Sequence, residues 1–163
     1  MARLIPFATA LVVAFTLLAS APAQEPAQPK ARVEFRWLEA KPVKGLTQEK
    51  GIQTTCGDEL SYPHLVPALT NKDVALTVLK NHDFSAAGLP GDHFTVTFHL
   101  TGPAKQALVA ACRDKQGGVL AIYAEGRYWG TANFQKARAD DFAPSAGFIP
   151  SRAEAERIAA AAP

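Results

Sequence analysis

Residues 117–134 read GGVLAIYAEGRYWGTANF. Two short apolar runs hinge on Glu125-Gly126, a pair that suits a two-residue hairpin turn. On that turn Tyr123 faces Tyr128 and Ile122 faces Trp129. Strict alternation then places Leu120, Ile122, Trp129 and Thr131 on one face. Val119, Ala121, Tyr123, Tyr128, Gly130, Ala132 and Phe134 take the other. The second set is small in its middle, as a closely packed helix requires. Leu120, Ile122, Trp129 and Thr131 are therefore the candidate binding face, either a groove for peptide or a lid over residues 41–63. The competing reading is that the aromatics simply fill a core, the commoner fate of such side chains.

The flanking segments extend the pattern. HFTVTFHL, residues 93–100, is the cleanest strand, with Phe94, Val96, Phe98 and Leu100 inward and His93, Thr95, Thr97 and His99 outward. RVEFRWLEA, residues 32–40, alternates Val33, Phe35 and Trp37 against Arg32, Glu34 and Arg36. A further strand runs over 74–82, and another through 142–148. Between 41 and 63 the pattern dissolves into an irregular connection with room for one short strand. Thr101 caps a helix carrying Pro103 in its first turn, with Ala104, Ala107, Leu108, Ala111 and Cys112 along one stripe. Gly117-Gly118 is read as its end. Ser151 and Glu154 open a second helix, whose inner face is Ala155, Ile158 and Ala159. The expected class is α+β: an antiparallel sheet with two amphipathic helices packed on one face, as in ferredoxin-like folds.

The amino-terminal residues belong to a different problem. Arg3 precedes an apolar run from Leu4 to Leu18, and Ala21-Pro22-Ala23 has the small-residue spacing of a signal-peptidase site. The run is shorter than the roughly 20 residues a spanning helix needs. We therefore expect a signal peptide over 1–23, a Pro/Gln-rich spacer over 24–30 and a folded domain over 31–161. The product is exported, periplasmic or secreted, with no stable membrane span after cleavage. Without Arg3 the balance is 16 basic to 15 acidic residues. These charges are scattered singly, which excludes nucleic acid as a partner. In an oxidising compartment the two cysteines, Cys56 and Cys112, are candidates for one disulfide. The alternative is that Cys112, on the buried stripe of its helix, is only a small core residue.

Candidate chemistry is sparse. His93 and His99 share a face but stand about 20 Å apart along the strand, too far for one ion. His82, Asp83, Asp92 and His93 flank residues 84–91 and can meet at a hairpin mouth, the one grouping open to a metal or a small hydrolase. Asp58, Ser61 and His64 have the residue types of a catalytic triad without a nucleophile elbow. No paired acid and base stand out, so the expectation is a non-enzymatic protein without a cofactor.

An ordered set of short motifs adds a resemblance. Glu34-Phe35-Arg36, Leu69-Thr70 with Asp73-Val74, Leu120-Ala121-Ile122 with Glu125-Gly126, Gly147-Phe148 and Glu154-Ala155 together resemble the first periplasmic head region of the SecD/SecDF family, partners of the Sec translocon. The likeness spans most of 32–160. It departs from the family at residues 45–64, which have no counterpart there, and at Gly130-Thr131-Ala132-Asn133. It also lacks that family's transmembrane helices. The resemblance implies a stand-alone SecDF head-like domain that contacts unfolded polypeptide or an envelope protein, and it brings no catalytic residues with it.

Overall fold

In the computed structural model, residues 31–48, 62–83, 92–112 and 115–162 are described. The expected signal and spacer, and Cys56, Asp58 and Ser61, lie outside them. The alternating segment around Phe98 forms β5 (Asp92–Leu100), which pairs antiparallel with β4 (Val74–Asp83). Phe94, Val96, Phe98 and Leu100 are all buried, as alternation requires. β5 leads into α1 (Gly102–Ala111), where the Thr101 hydroxyl accepts the Ala104 N–H at 3.3 Å. Only the i, i+4 ridge of Ala104, Leu108 and Cys112 is buried; Ala107 and Ala111, expected on the same stripe, are exposed. The helix thus meets the core along one row of side chains instead of a broad face. It ends at Ala111, and the two glycines read as its terminus instead open a strand.

That strand is β6 (Gly117–Ala124), paired on one side with β1 (Val33–Glu39) and on the other with β7 (Arg127–Gln135). Two-residue strands, β2 (Tyr62–Pro63) and β3 (Leu69–Thr70), add to β1. β8 (Ser145–Ile149) pairs with β5. The class is α+β and the pairing antiparallel, but there are two sheets where patterning suggested one: five strands built around β1, β6 and β7, and three in the order β4-β5-β8. After β7 the chain makes a 3-10 turn at Lys136–Arg138 and returns to β5, not to β7. α2 (Arg152–Ala159), capped by Ser151, lies against β4, β5 and β8 and buries Ala155 and Ile158.

Both sheets and both helices share one core, in which Phe35 and Phe98 meet edge to face at 5.3 Å between ring centres. Asn71 clasps its rim. Its side-chain oxygen accepts the Val33 N–H at 2.7 Å, and its amide donates to the carbonyls of Ala31 (2.6 Å) and Ala161 (2.9 Å).

The hairpin departs from simple alternation. Tyr123 does face Tyr128 across Glu125-Gly126, but Ile122 then pairs with Gly130, so β7 carries an extra residue there. Gly130 has φ +152°, a backbone conformation that favours glycine. Beyond this bulge every face assignment on β7 reverses. Ala132 and Phe134 turn into the core opposite Leu120 and Gly118, while Thr131 pairs with Ala121 on the outer side.

Candidate functional site

A concavity forms where β1 ends, β6 begins and α1 stops. Gly118 makes it possible: a Cβ there would lie 2.7 Å from the six-membered ring of Trp37, so the indole lies against bare backbone. The indole is held from the core side by Phe134 at 6.1 Å, itself packed edge-on against Phe142 at 5.1 Å. α1 supplies Ala111 and Cys112 as the opposing wall. Pairing of β2 with Leu38 and Glu39 brings His64 to the rim, where its backbone N–H donates to the Trp37 carbonyl at 2.9 Å. His64 Nε2 is 3.1 Å from one Glu39 carboxylate oxygen, and Lys115 Nζ is 3.9 Å from the other. The result is a recess of about 390 Å³ with a lining more apolar than polar and a rim carrying both signs of charge.

The residues proposed from sequence fall elsewhere. Leu120 and Ile122 are 0% exposed and Trp129 is 9% exposed, all within the main core. The Arg127 guanidinium lies 4.3 Å from the centre of the Trp129 ring. Thr131 is on the opposite side of the sheet, so the four do not make one exposed surface. That opposite side carries a smaller cluster of Leu38, Ala121 and Tyr123, flanked by Val119 and Tyr128. Glu34 is buried beside it and is paired with Arg32 at 2.6 Å and Arg36 at 2.5 Å. Arg36 also lies 5.5 Å over the Tyr123 ring.

Cys112 is a free, buried thiol; the expected bridge to Cys56 is not seen, and Cys56 lies outside the described residues. Burial pushes the Cys112 pKa up, opposed by the positive charges of Lys136 and Lys115. At the hairpin mouth His82 pairs with His93 and Asp83 with Asp92, but among the described residues no three metal-binding side chains converge. His64 engages Glu39 across the recess rim. The recess was hidden from sequence reading because its parts look unrelated: a core tryptophan, a loop histidine and two helix-ending glycines. The one usable signal was a Gly-Gly pair that starts an apolar run, since glycine there denotes close approach of another group.

No family model and no curated protein matches the chain. Solved structures do. The fold resembles that of SecDF. One SecDF structure, described as a membrane component that enhances protein export, aligns at 18% identity with a TM-score of 0.52, over 81% of this chain and 61% of that one. A crystal structure of SecDF in a super-membrane-facing form aligns at 18% identity with a TM-score of 0.51, over 80% of this chain and 18% of that one. The chain therefore spans less than two thirds of either SecDF structure. At this identity the likeness to SecDF is one of fold. No helix among the described residues is long and apolar enough to cross a membrane.

Proposed function

We propose that this chain is an exported, non-enzymatic domain that binds unfolded polypeptide or another protein of the cell envelope. The observation that carries this reading is the recess between Trp37 and the end of α1. Its volume falls in the range that holds a ligand group, and its lining is more apolar than polar, with Glu39, His64 and Lys115 among the lining residues. Such a cavity takes one apolar side chain of an extended chain, while Glu39, His64 and Lys115 meet the neighbouring backbone or charges. It offers no nucleophile held against a base. The SecDF fold supports the same direction, because SecDF is described as enhancing protein export. Export itself rests on the signal-like residues 1–23, with a mature terminus at Gln24.

Ala111 tests the reading, because it is exposed and lines the recess. Ala111→Phe fills the cavity without touching the core. The wild-type chain is expected to bind a fluorescently labelled, permanently unfolded protein in a polarisation titration. The variant is expected to bind at least about tenfold more weakly, the effect of losing roughly 1.4 kcal/mol of contact, with an unchanged melting temperature. Equal binding by both proteins refutes the recess as the site.

A further inference from the structure

We propose that His82 and His93 form a two-histidine site for a divalent transition cation of the nickel, copper and zinc group, and that the ion clips the β4–β5 hairpin. The inference rests on ladder register and stands apart from the polypeptide-binding reading. His82 and His93 are directly paired across the antiparallel ladder. Residues so opposed project to the same side of the sheet with Cβ atoms about 4.5–5.5 Å apart. Two imidazoles from that spacing can converge on one ion at about 2.0–2.1 Å per nitrogen. Both residues are half-exposed, and because Nδ1 of His93 is buried, the ligand proposed on that ring is Nε2.

Alternation also decides the ligand set. Phe94 turns into the core and His93 away from it, and Lys80, two residues before His82, is exposed. Asp83 and Asp92, each one step along, project to the other side, so the four-residue grouping suggested by sequence separates into two pairs. The stretch FSAAGLPG, residues 84–91, has no His, Cys, Asp or Glu to add. A donor set of two imidazoles completed by water favours nickel, copper and zinc over magnesium or calcium, which require carboxylate and carbonyl oxygens. The Phe148 ring stands edge-on to His93 at 6.3 Å and 72°. Phe148 is 70% exposed on a backbone with φ +56°.

The experiment uses the untagged chain, since a polyhistidine tag would bind the same ions. Calorimetric titration with zinc is expected to saturate at one ion per chain, to raise the melting temperature by linkage, and to have no counterpart with magnesium. His82→Gln and His93→Gln are each expected to weaken zinc binding by at least about tenfold, since even loss of an outer-sphere partner costs that much. His99→Gln, on the same strand, is expected to bind as the wild type does. In the wild-type protein itself, zinc should move the ring proton resonances of His82 and His93 and leave those of His64 and His99 in place, a readout that does not depend on any variant folding. Absence of saturable binding up to millimolar zinc, undiminished binding by both glutamine variants, or ring shifts confined to other histidines would overturn the site.

Discussion

Phe134→Ala, set against Thr131→Lys, tests the bulge that reorganises the hairpin. Without an extra residue at Trp129-Gly130, alternation places Phe134 outside and Thr131 with the core residues Leu120 and Ile122. With it, Phe134 is 1% exposed and packs edge-on against Trp37 and Phe142. Removing a buried phenylalanine costs about 3–5 kcal/mol. Complete burial and two aromatic partners, each worth up to about 1.5 kcal/mol beyond area, put this residue near the upper end. With a urea m-value of about 2 kcal/mol/M, a 4 kcal/mol loss lowers the unfolding midpoint by about 2 M. Thr131→Lys extends a side chain from the outer side and is expected to cost less than about 1 kcal/mol. Equilibrium urea unfolding of both variants, followed by far-ultraviolet circular dichroism, measures the pair. The reverse ranking, a mild Phe134→Ala and a severe Thr131→Lys, would restore the unbulged register and refute the face assignments made for β7.

Asn71→Ala removes the three hydrogen bonds that tie Val33, Ala31 and Ala161 together. It is expected to cost about 2–3 kcal/mol in urea unfolding and to speed hydrogen exchange at the Val33 amide; unchanged protection there contradicts the clasp. Cys112 is expected to react slowly with iodoacetamide in the native protein and rapidly once unfolded, and prompt native labelling contradicts its burial. Labelling that appears only when reductant is added to the unfolded chain would instead reveal a Cys56–Cys112 bridge. Because burial raises the folded-state pKa of the thiol, the unfolded chain loses its proton first as pH rises through about 8.5. The folded state then holds more protons, so this group's contribution to stability is expected to fall with pH above that point and to stay constant below it.

How much could be read from the sequence depended on whether local periodicity carried the information. β5 was legible because four inward apolar residues alternate strictly with polar ones, and α1 because Thr101 and Pro103 mark its start. β2 falls in the connection that had room for one short strand but could not be placed, and β3 was not expected, since two residues have no period. The choice between one sheet and two was equally hidden: β7 and β8 each look like half-buried strands, and partner selection is a long-range property. The ridge of α1 was overestimated because alanine is apolar enough to fit a stripe whether or not anything packs on it. For the His82 grouping, sequence could bring four residues to one hairpin mouth, and only the register showed that the two histidines and the two aspartates leave the ladder on opposite sides.

The bulge and the recess are connected through the aromatic row Trp37, Phe134 and Phe142. Phe134 reaches Trp37 only because the extra residue at Trp129-Gly130 turns it inward, and the Trp37 ring comes this close to β6 only because Gly118 lacks a side chain. Remove the bulge and the indole loses the ring that holds it from the core side; add a Cβ at position 118 and the indole must move from its place beside the recess. The two glycines therefore act on the same side chain from different strands, one setting the support beneath it and the other the space beside it. Trp37 is the point where the register of the hairpin becomes the shape of the candidate binding site. This ties the site to the fold more closely than a surface loop would, and it places the floor of the recess on paired strands held by the core, the kind of support a preorganised pocket needs.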